Sequence, residues 1–153
     1  EALIDDEKGV LPGLDGQKMS KSYKNVIPVF TETDSLRKAV MKIKTNSKEP
    51  GEPKDTENCT IFKIYKSFSN SEEINQLALK YKEGIAWGEA KEILFQKLED
   101  NLSGYKSEYT KIIGDRAHVE ETLVLGSKKA LEVSLPLIEQ VRKAVGIKGF
   151  AKL

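Results

Sequence analysis

From residue 35 onward, apolar residues recur at steps of three and four, the spacing that places them on one face of a helix. Leu36, Ala39, Val40 and Ile43 predict a short first helix starting near residue 35, with Thr31, Thr33 or Asp34 as its cap. Ile61, Ile64, Tyr65 and Phe68 mark a second. A capping-box pattern from Ser69 to Glu72 opens a third, faced by Ile74, Leu77, Ala78 and Tyr81 and closed at Gly84, which suits a left-handed C-terminal cap. Trp87, Ala90, Leu94, Leu98, Leu102, Tyr105, Tyr109 and Ile112 predict a longer fourth helix over about 87 to 113. Gly104 inside it costs about 1 kcal/mol relative to alanine. The fifth carries Val119, Leu123, Gly126, Ala130, Val133, Leu137, Val141 and Ala144 on one stripe, where Gly126 and Ala130 imply close approach of a neighbouring helix. Pro136 predicts a kink or a restart capped by Ser134, and Gly146 and Gly149 end the pattern.

Two stretches lack this period. Residues 9 to 16 place three glycines and a proline around two small apolar patches, a turn-rich connector. Residues 47 to 57 hold two prolines and a glycine without any periodic apolar position, which predicts an exposed loop. The fold class is therefore mainly α: a bundle of about five helices preceded by an irregular, flexible loop segment. The expected division is 1–30 for that segment and 31–153 for the helical domain.

At 153 residues and 39% hydrophobic composition, the chain can build one core and little of a second. Lysine and arginine number 25 against 24 acidic residues, so net charge neither marks nor excludes a polyanion binder. Between Lys18 and Lys66, however, eleven basic residues face six acidic ones, enough for a polyanion to dock. One cysteine and one histidine exclude an internal disulfide and a structural zinc site, and a cytoplasmic, reducing setting is expected. No apolar run approaches the roughly 18 residues of a membrane helix, and no signal peptide is visible. The chain starts at Glu1 and reaches its chemistry-bearing motif within twenty residues, as a piece of something longer would.

That motif is Lys18-Met19-Ser20-Lys21-Ser22, directly after Gly13-Leu14-Asp15-Gly16-Gln17. Two lysines three apart with hydroxyl side chains beside them can set compact positive charge and donors around one triphosphate. Lys-x-x-Lys alone is usually a solvated surface pair. The whole string resembles the second nucleotide-binding motif of class I aminoacyl-tRNA synthetases. Further stretches resemble the bacterial tryptophanyl type: Leu11 to Gly16, Ile27-Pro28, Glu52-Pro53-Lys54-Asp55, Tyr81 to Gly84 into Trp87-Gly88-Glu89-Ala90-Lys91, and Val141 to Gly146. The resemblance spans nearly the whole chain, and the tyrosyl type is the near alternative.

It implies a two-step ligase: tryptophan attacks the α-phosphate of ATP, with Mg2+ as part of that substrate, and the tryptophanyl group then passes to tRNA(Trp). Lys18, Met19, Ser20, Lys21 and Ser22 would bind ATP, with Lys18 and Lys21 catalytic. A lysine about 4 Å from a charged oxygen is worth roughly 1 kcal/mol in water and about 4 kcal/mol at a partly desolvated surface. The family's first motif, its nucleotide-binding sheet and its tryptophan pocket are absent from these residues, so the chain alone is expected to be inactive and monomeric, although the family pairs as a homodimer. No bound cofactor or metal is expected.

Arg37, Lys38, Lys63 and Lys66 are the candidate tRNA-phosphate contacts. His118 reads as a capping or surface residue, Cys59 as a small buried thiol, and Trp87, Tyr105 and Tyr109 as core. Two other readings stand beside the ligase: an autonomous tRNA-binding helical module, and a structural bundle with an incidental lysine loop.

Overall fold

A computed structural model describes residues 10–147. Its elements are α1 (Thr33–Met41), α2 (Thr60–Phe68), α3 (Ser71–Lys82), α4 (Trp87–Gly114) and α5 (Arg116–Ala144). Among the described residues there is no strand, only an isolated antiparallel bridge between Pro12 and Lys18. The mainly α bundle expected from periodicity is what forms. Gly149 and residues 1–9 lie outside the described residues.

The chain divides into two compact units, the first ending at Ser107 and the second beginning at Glu108. In the first, the predicted stripes meet: Leu36 and Val40 from α1, Ile43 just beyond it, Ile61, Phe62, Ile64 and Tyr65 from α2, Leu77 and Tyr81 from α3, and Ala90, Leu94, Phe95, Leu98 and Leu102 from α4. Each of the larger side chains among these, fully buried, contributes about 1.5–3 kcal/mol. Polar ties fix the helices from outside. Arg37 pairs with Glu92 at 2.8 Å, Lys97 with Glu73 at 2.7 Å, and the Lys91 ammonium donates to the Met41 carbonyl at the end of α1.

Several local expectations shift. None of Thr31, Thr33 or Asp34 caps α1: its N-cap is Glu32, without a side-chain cap bond, and the Thr33 hydroxyl donates instead to Glu99. The capping box of α3 lies one residue later than expected. Asn70 Oδ1 accepts from the Glu73 amide at 3.0 Å and Glu73 Oε2 from the Asn70 amide at 2.9 Å, while Ser69 ends α2. Ser69 and Asn70 both have extended backbone and a glutamate three residues on, so the pattern alone does not decide between them.

α4 matches its predicted span, but Tyr105 (68% exposed) and Tyr109 (42% exposed) are not core. The core-facing stripe ends at Leu102, and the helix outlasts the core that organised it. In the second unit, none of α5's residues is buried and nothing lies within 4 Å of a Cβ built at Gly126, so the expected close helix neighbour is not there. A unit this small has too little chain to enclose a core of its own. α5 runs through Pro136 as one helix, without the restart at Ser134. Asp115 caps it by accepting from the amide of His118, whose role is that of an exposed first-turn residue.

Gly84 fulfils its expectation fully. At φ +86° it ends α3 with Ile85 N–H donating to Lys80 and Gly84 N–H to Tyr81, the pairing that satisfies a helix's last carbonyls. Its carbonyl also accepts from Gly51 at 2.7 Å, and a Cβ at Gly84 would overlap the Gly51 backbone. The 47–57 loop is thus docked rather than merely exposed. We predict that Gly84→Ala lowers stability by about 2 kcal/mol, roughly 10 °C in Tm for a unit of this size, measured by circular dichroism. An unchanged melt would show that neither the left-handed backbone nor the docked loop constrains the fold.

Candidate functional site

The lysine motif sits in an irregular segment whose backbone is nonetheless well bonded. Gly13 N–H donates to Gln17 at 2.7 Å and Met19 N–H to Leu11 at 3.0 Å, closing a narrow loop through the Pro12–Lys18 bridge. Lys24 N–H donates to Lys21 at 3.2 Å to form a turn in which Lys24 takes φ +54°. A left-handed non-glycine residue costs of order 1–3 kcal/mol and persists only where the surroundings hold it. What holds it is the next residue. Asn25 is 3% exposed, and a Cβ at Gly13 would overlap its side chain.

Asn25 bonds with both ends of its amide. Its Oδ1 accepts from Ser20 N–H at 2.8 Å, and its Nδ2 donates to Asp15 Oδ1 at 2.8 Å and to the Lys18 carbonyl at 3.2 Å. Its backbone carbonyl accepts from Leu14 N–H at 2.8 Å. Asp15 Oδ1 also takes Gln17 N–H at 3.0 Å. The Asn25 amide, followed by the Gln17 backbone, holds the Asp15 carboxyl below its ordinary value of 3.8, against the opposing effect of burial.

Above this clasp the lysine side chains reach solvent. Lys18 and Lys21 are exposed and their ammonium groups have no partner among the described residues; Ser20 and Ser22 share a hydroxyl–hydroxyl bond of 2.8 Å. The sequence placed these residues correctly in one loop; it did not reveal Asn25 and Asp15 as what shapes it. The only signal was an asparagine breaking into the run Asn25-Val26-Ile27. The loop joins the helices through Leu14, whose carbonyl accepts from Lys44 N–H at 2.9 Å just after α1.

The four basic candidates lie on two helices. Arg37 and Lys38 are exposed on α1, where the Arg37 guanidinium already engages both oxygens of Glu92, at 3.1 Å from Nε and 2.8 Å from Nη2 on the nearer one. Lys63 is exposed on α2 and Lys66 is half-buried there. Lys54, which nothing in the sequence singled out as structural, is 5% exposed: its ammonium donates to the carbonyls of Glu49 and Glu52 and lies 5.2 Å from the centre of the Trp87 ring. Trp87 is half-buried beside the core, its Nε1 enclosed without an acceptor among the described residues. Cys59, half-buried, is the N-cap of α2 and lies 3.4 Å from the Tyr81 hydroxyl. A cavity of about 290 Å³ opens beside Cys59, Thr60 and Trp87.

The sequence matches the family of class I tRNA synthetases (W and Y) over residues 1–107, and the chain belongs to that family. Among relatives, it is similar to the tryptophan–tRNA ligases of Pseudomonas putida, 41% identical over 98% of this chain and 33% of that protein, and of Neisseria meningitidis, 42% identical over 97% and 44%. A crystal structure of Campylobacter jejuni tryptophanyl-tRNA synthetase complexed with ADP and tryptophan superposes with a TM-score of 0.83 at 33% identity, covering 95% of this chain and 46% of that one. The chain thus corresponds to a tryptophanyl-type synthetase segment spanning about a third of the length of the Pseudomonas relative. None of its helices, among the described residues, is long and apolar enough to cross a membrane.

The Asp15 carboxyl gives a direct reading of the clasp. Its depressed pKa stabilises the loop at all pH values above 3.8, and that stabilisation is lost as the pH falls through the folded-state value. In an NMR titration of the side-chain carbon we expect a midpoint below 3.8, moved upward by Asn25→Ala. A midpoint that ignores the substitution would sink the assignment of Asn25 as the main cause.

Proposed function

We propose that this chain supplies the lysine loop to ATP-dependent activation of tryptophan and a helical surface to tRNA(Trp), within a tryptophan–tRNA ligase working in the cytoplasm. The observation that carries this reading is a pair of exposed lysines, Lys18 and Lys21, without a partner among the described residues, on a loop whose backbone is fixed from beneath. Met19, Ser20 and Ser22 complete the ATP-binding stretch, and Mg2+ arrives with the nucleotide. Functionally the division falls at residue 30, with residues 1–30 closing the catalytic domain and 31–153 facing the tRNA.

Adenylate formation moves negative charge onto the departing pyrophosphate. A group that is positive before the reaction and positioned where that charge grows lowers the barrier without reorganising during the step. Lys18 and Lys21 are suited to this: compact ammonium groups on flexible stems, not already spent on a carboxylate. Their exposure limits their strength until the nucleotide and the rest of the enzyme exclude water around them. The tRNA surface is carried by Lys38, Lys63 and Lys66; Arg37 would exchange its Glu92 partner for a phosphate. Dimerisation belongs to the complete enzyme, and this segment alone is monomeric and inactive.

In the full-length ligase carrying this segment, Lys21→Ala lowers the rate of ATP–pyrophosphate exchange by roughly a hundredfold, the scale of removing one charge-stabilising donor. A near-normal rate would remove the catalytic role. For the helical surface, the 153-residue chain is titrated with tRNA(Trp) and with an unrelated tRNA across a range of salt. Preference that persists as salt rises identifies selective recognition by this segment, whereas equal binding erased by salt assigns selection to other parts of the enzyme.

A further inference from the structure

Lys18 and Lys21 are the exposed charges of the loop, yet its most constrained side chain is Asn25. It is the only residue there whose side chain is buried, and it joins three points of the motif's backbone and one carboxylate: the Ser20 amide at 2.8 Å, the Lys18 carbonyl at 3.2 Å, the Leu14 amide at 2.8 Å through its own carbonyl, and Asp15 Oδ1 at 2.8 Å. Two of these bonds bracket Met19, and so fix the backbone from which Lys18 departs and the one leading into Lys21. Asp15 in turn holds the Gln17 amide at 3.0 Å. The left-handed turn at Lys24, φ +54°, delivers Asn25 to this place, and the overlap that a Cβ at Gly13 would make shows how closely the opposing backbone approaches it.

We propose that Asn25, with Asp15, is a positioning residue for tryptophan activation: an amide–carboxylate clasp beneath the loop that sets the separation and direction of Lys18 and Lys21. This rests on the lysines acting on ATP as described above. Asn25 touches no substrate; it acts through the backbone it holds. The polarity of the clasp is specific, because an asparagine offers an acceptor to Ser20 and a donor to Asp15 from one planar group, which no carboxylate can do while ionised. At equal size, Asn25→Asp keeps the acceptor for Ser20 but sets two carboxylates against each other where one hydrogen bond stood. Exchanging the pair, Asp15→Asn with Asn25→Asp, removes the repulsion, restores a donor facing an acceptor and leaves an acceptor for the Ser20 amide. Asp15 Oδ1 accepts from both Asn25 and Gln17, however, so the exchange gives up the Gln17 bond along with the bond to the Lys18 carbonyl.

The test compares Asn25→Asp, Asp15→Asn/Asn25→Asp and Lys21→Ala in the full-length ligase by ATP–pyrophosphate exchange. The expected result is a fall in kcat of about tenfold or more for Asn25→Asp, with KM for ATP changed less than about threefold, because misaligned lysines cost more in the transition state than in binding. The exchanged pair, freed of the repulsion but short of two bonds, regains part of that loss, and the deficit of Asn25→Asp shrinks as pH is lowered and the two carboxylates share a proton. Amide exchange in the 153-residue chain checks the clasp without chemistry: the Ser20 amide exchanges about tenfold faster in Asn25→Ala. A near-parental kcat for Asn25→Asp, an exchanged pair no better than the single variant, or an unmoved Ser20 amide overturns the positioning role. If Lys21→Ala is itself near normal, the ATP reading of the loop falls and takes this inference with it; if only the Asn25 arms fail, that reading stands.

Discussion

Tyr81 is where the first unit is joined. Its side chain is wholly buried near the end of α3, its ring meets Phe62 of α2 edge-on at 5.3 Å and Trp87 of α4 at 6.0 Å, and its hydroxyl reaches Cys59 at the cap of α2. Burial, and after it the Cys59 contact, push its phenol above the ordinary range. The Tyr81 carbonyl accepts from Lys54 at 2.8 Å and from Gly84 at 3.3 Å, so the backbone of the same residue anchors the 47–57 loop and ends its own helix. Three helices and a loop therefore depend on the position of one aromatic residue, through both edge-on ring packing and hydrogen bonds.

From that junction the order passes outward in two directions. Lys54 lies beneath the loop with its charge met by two carbonyls and the Trp87 ring rather than by a carboxylate. An ammonium has three donors to satisfy, and main-chain oxygens with an aromatic face reduce the cost of removing it from water. On the other side, α1 leads into Lys44, and Lys44 holds Leu14 at the base of the lysine loop. The part proposed to meet ATP is thus hydrogen-bonded to the helical body in the same compact unit, which continues well past residue 30.

The helices were legible in the sequence because each carries an apolar stripe that a neighbour buries, and such stripes repeat visibly. Leu36, Ile61, Leu77 and Leu94 all lie where the spacing put them. The stripe of α5 was equally visible, yet none of its residues is buried, because periodicity says which face is apolar and not what covers it. Tyr105 and Tyr109 failed for the same reason. The lysine loop was legible as a string, through its resemblance to a nucleotide-binding motif, whereas the groups that shape it were not. Asn25 and Lys54 are polar residues in polar surroundings, and their burial comes from chain segments brought together only by folding. No local pattern encodes that a hydrophilic residue will be enclosed.

The position of Trp87 has a spectroscopic consequence. It is the only tryptophan in the chain, so the indole emission of the protein comes from one place, the junction of α3, α4 and the Lys54 loop. An indole's emission follows the local electric field and its contact with water, and here a cation lies 5.2 Å from the ring centre. The chromophore therefore monitors whether the Lys54 loop is seated. A nucleotide bound at Lys18 and Lys21 as proposed would change this signal by moving the body to which the lysine loop is tied, which makes a single intrinsic probe a gauge of how far a disturbance in the loop travels into the helices.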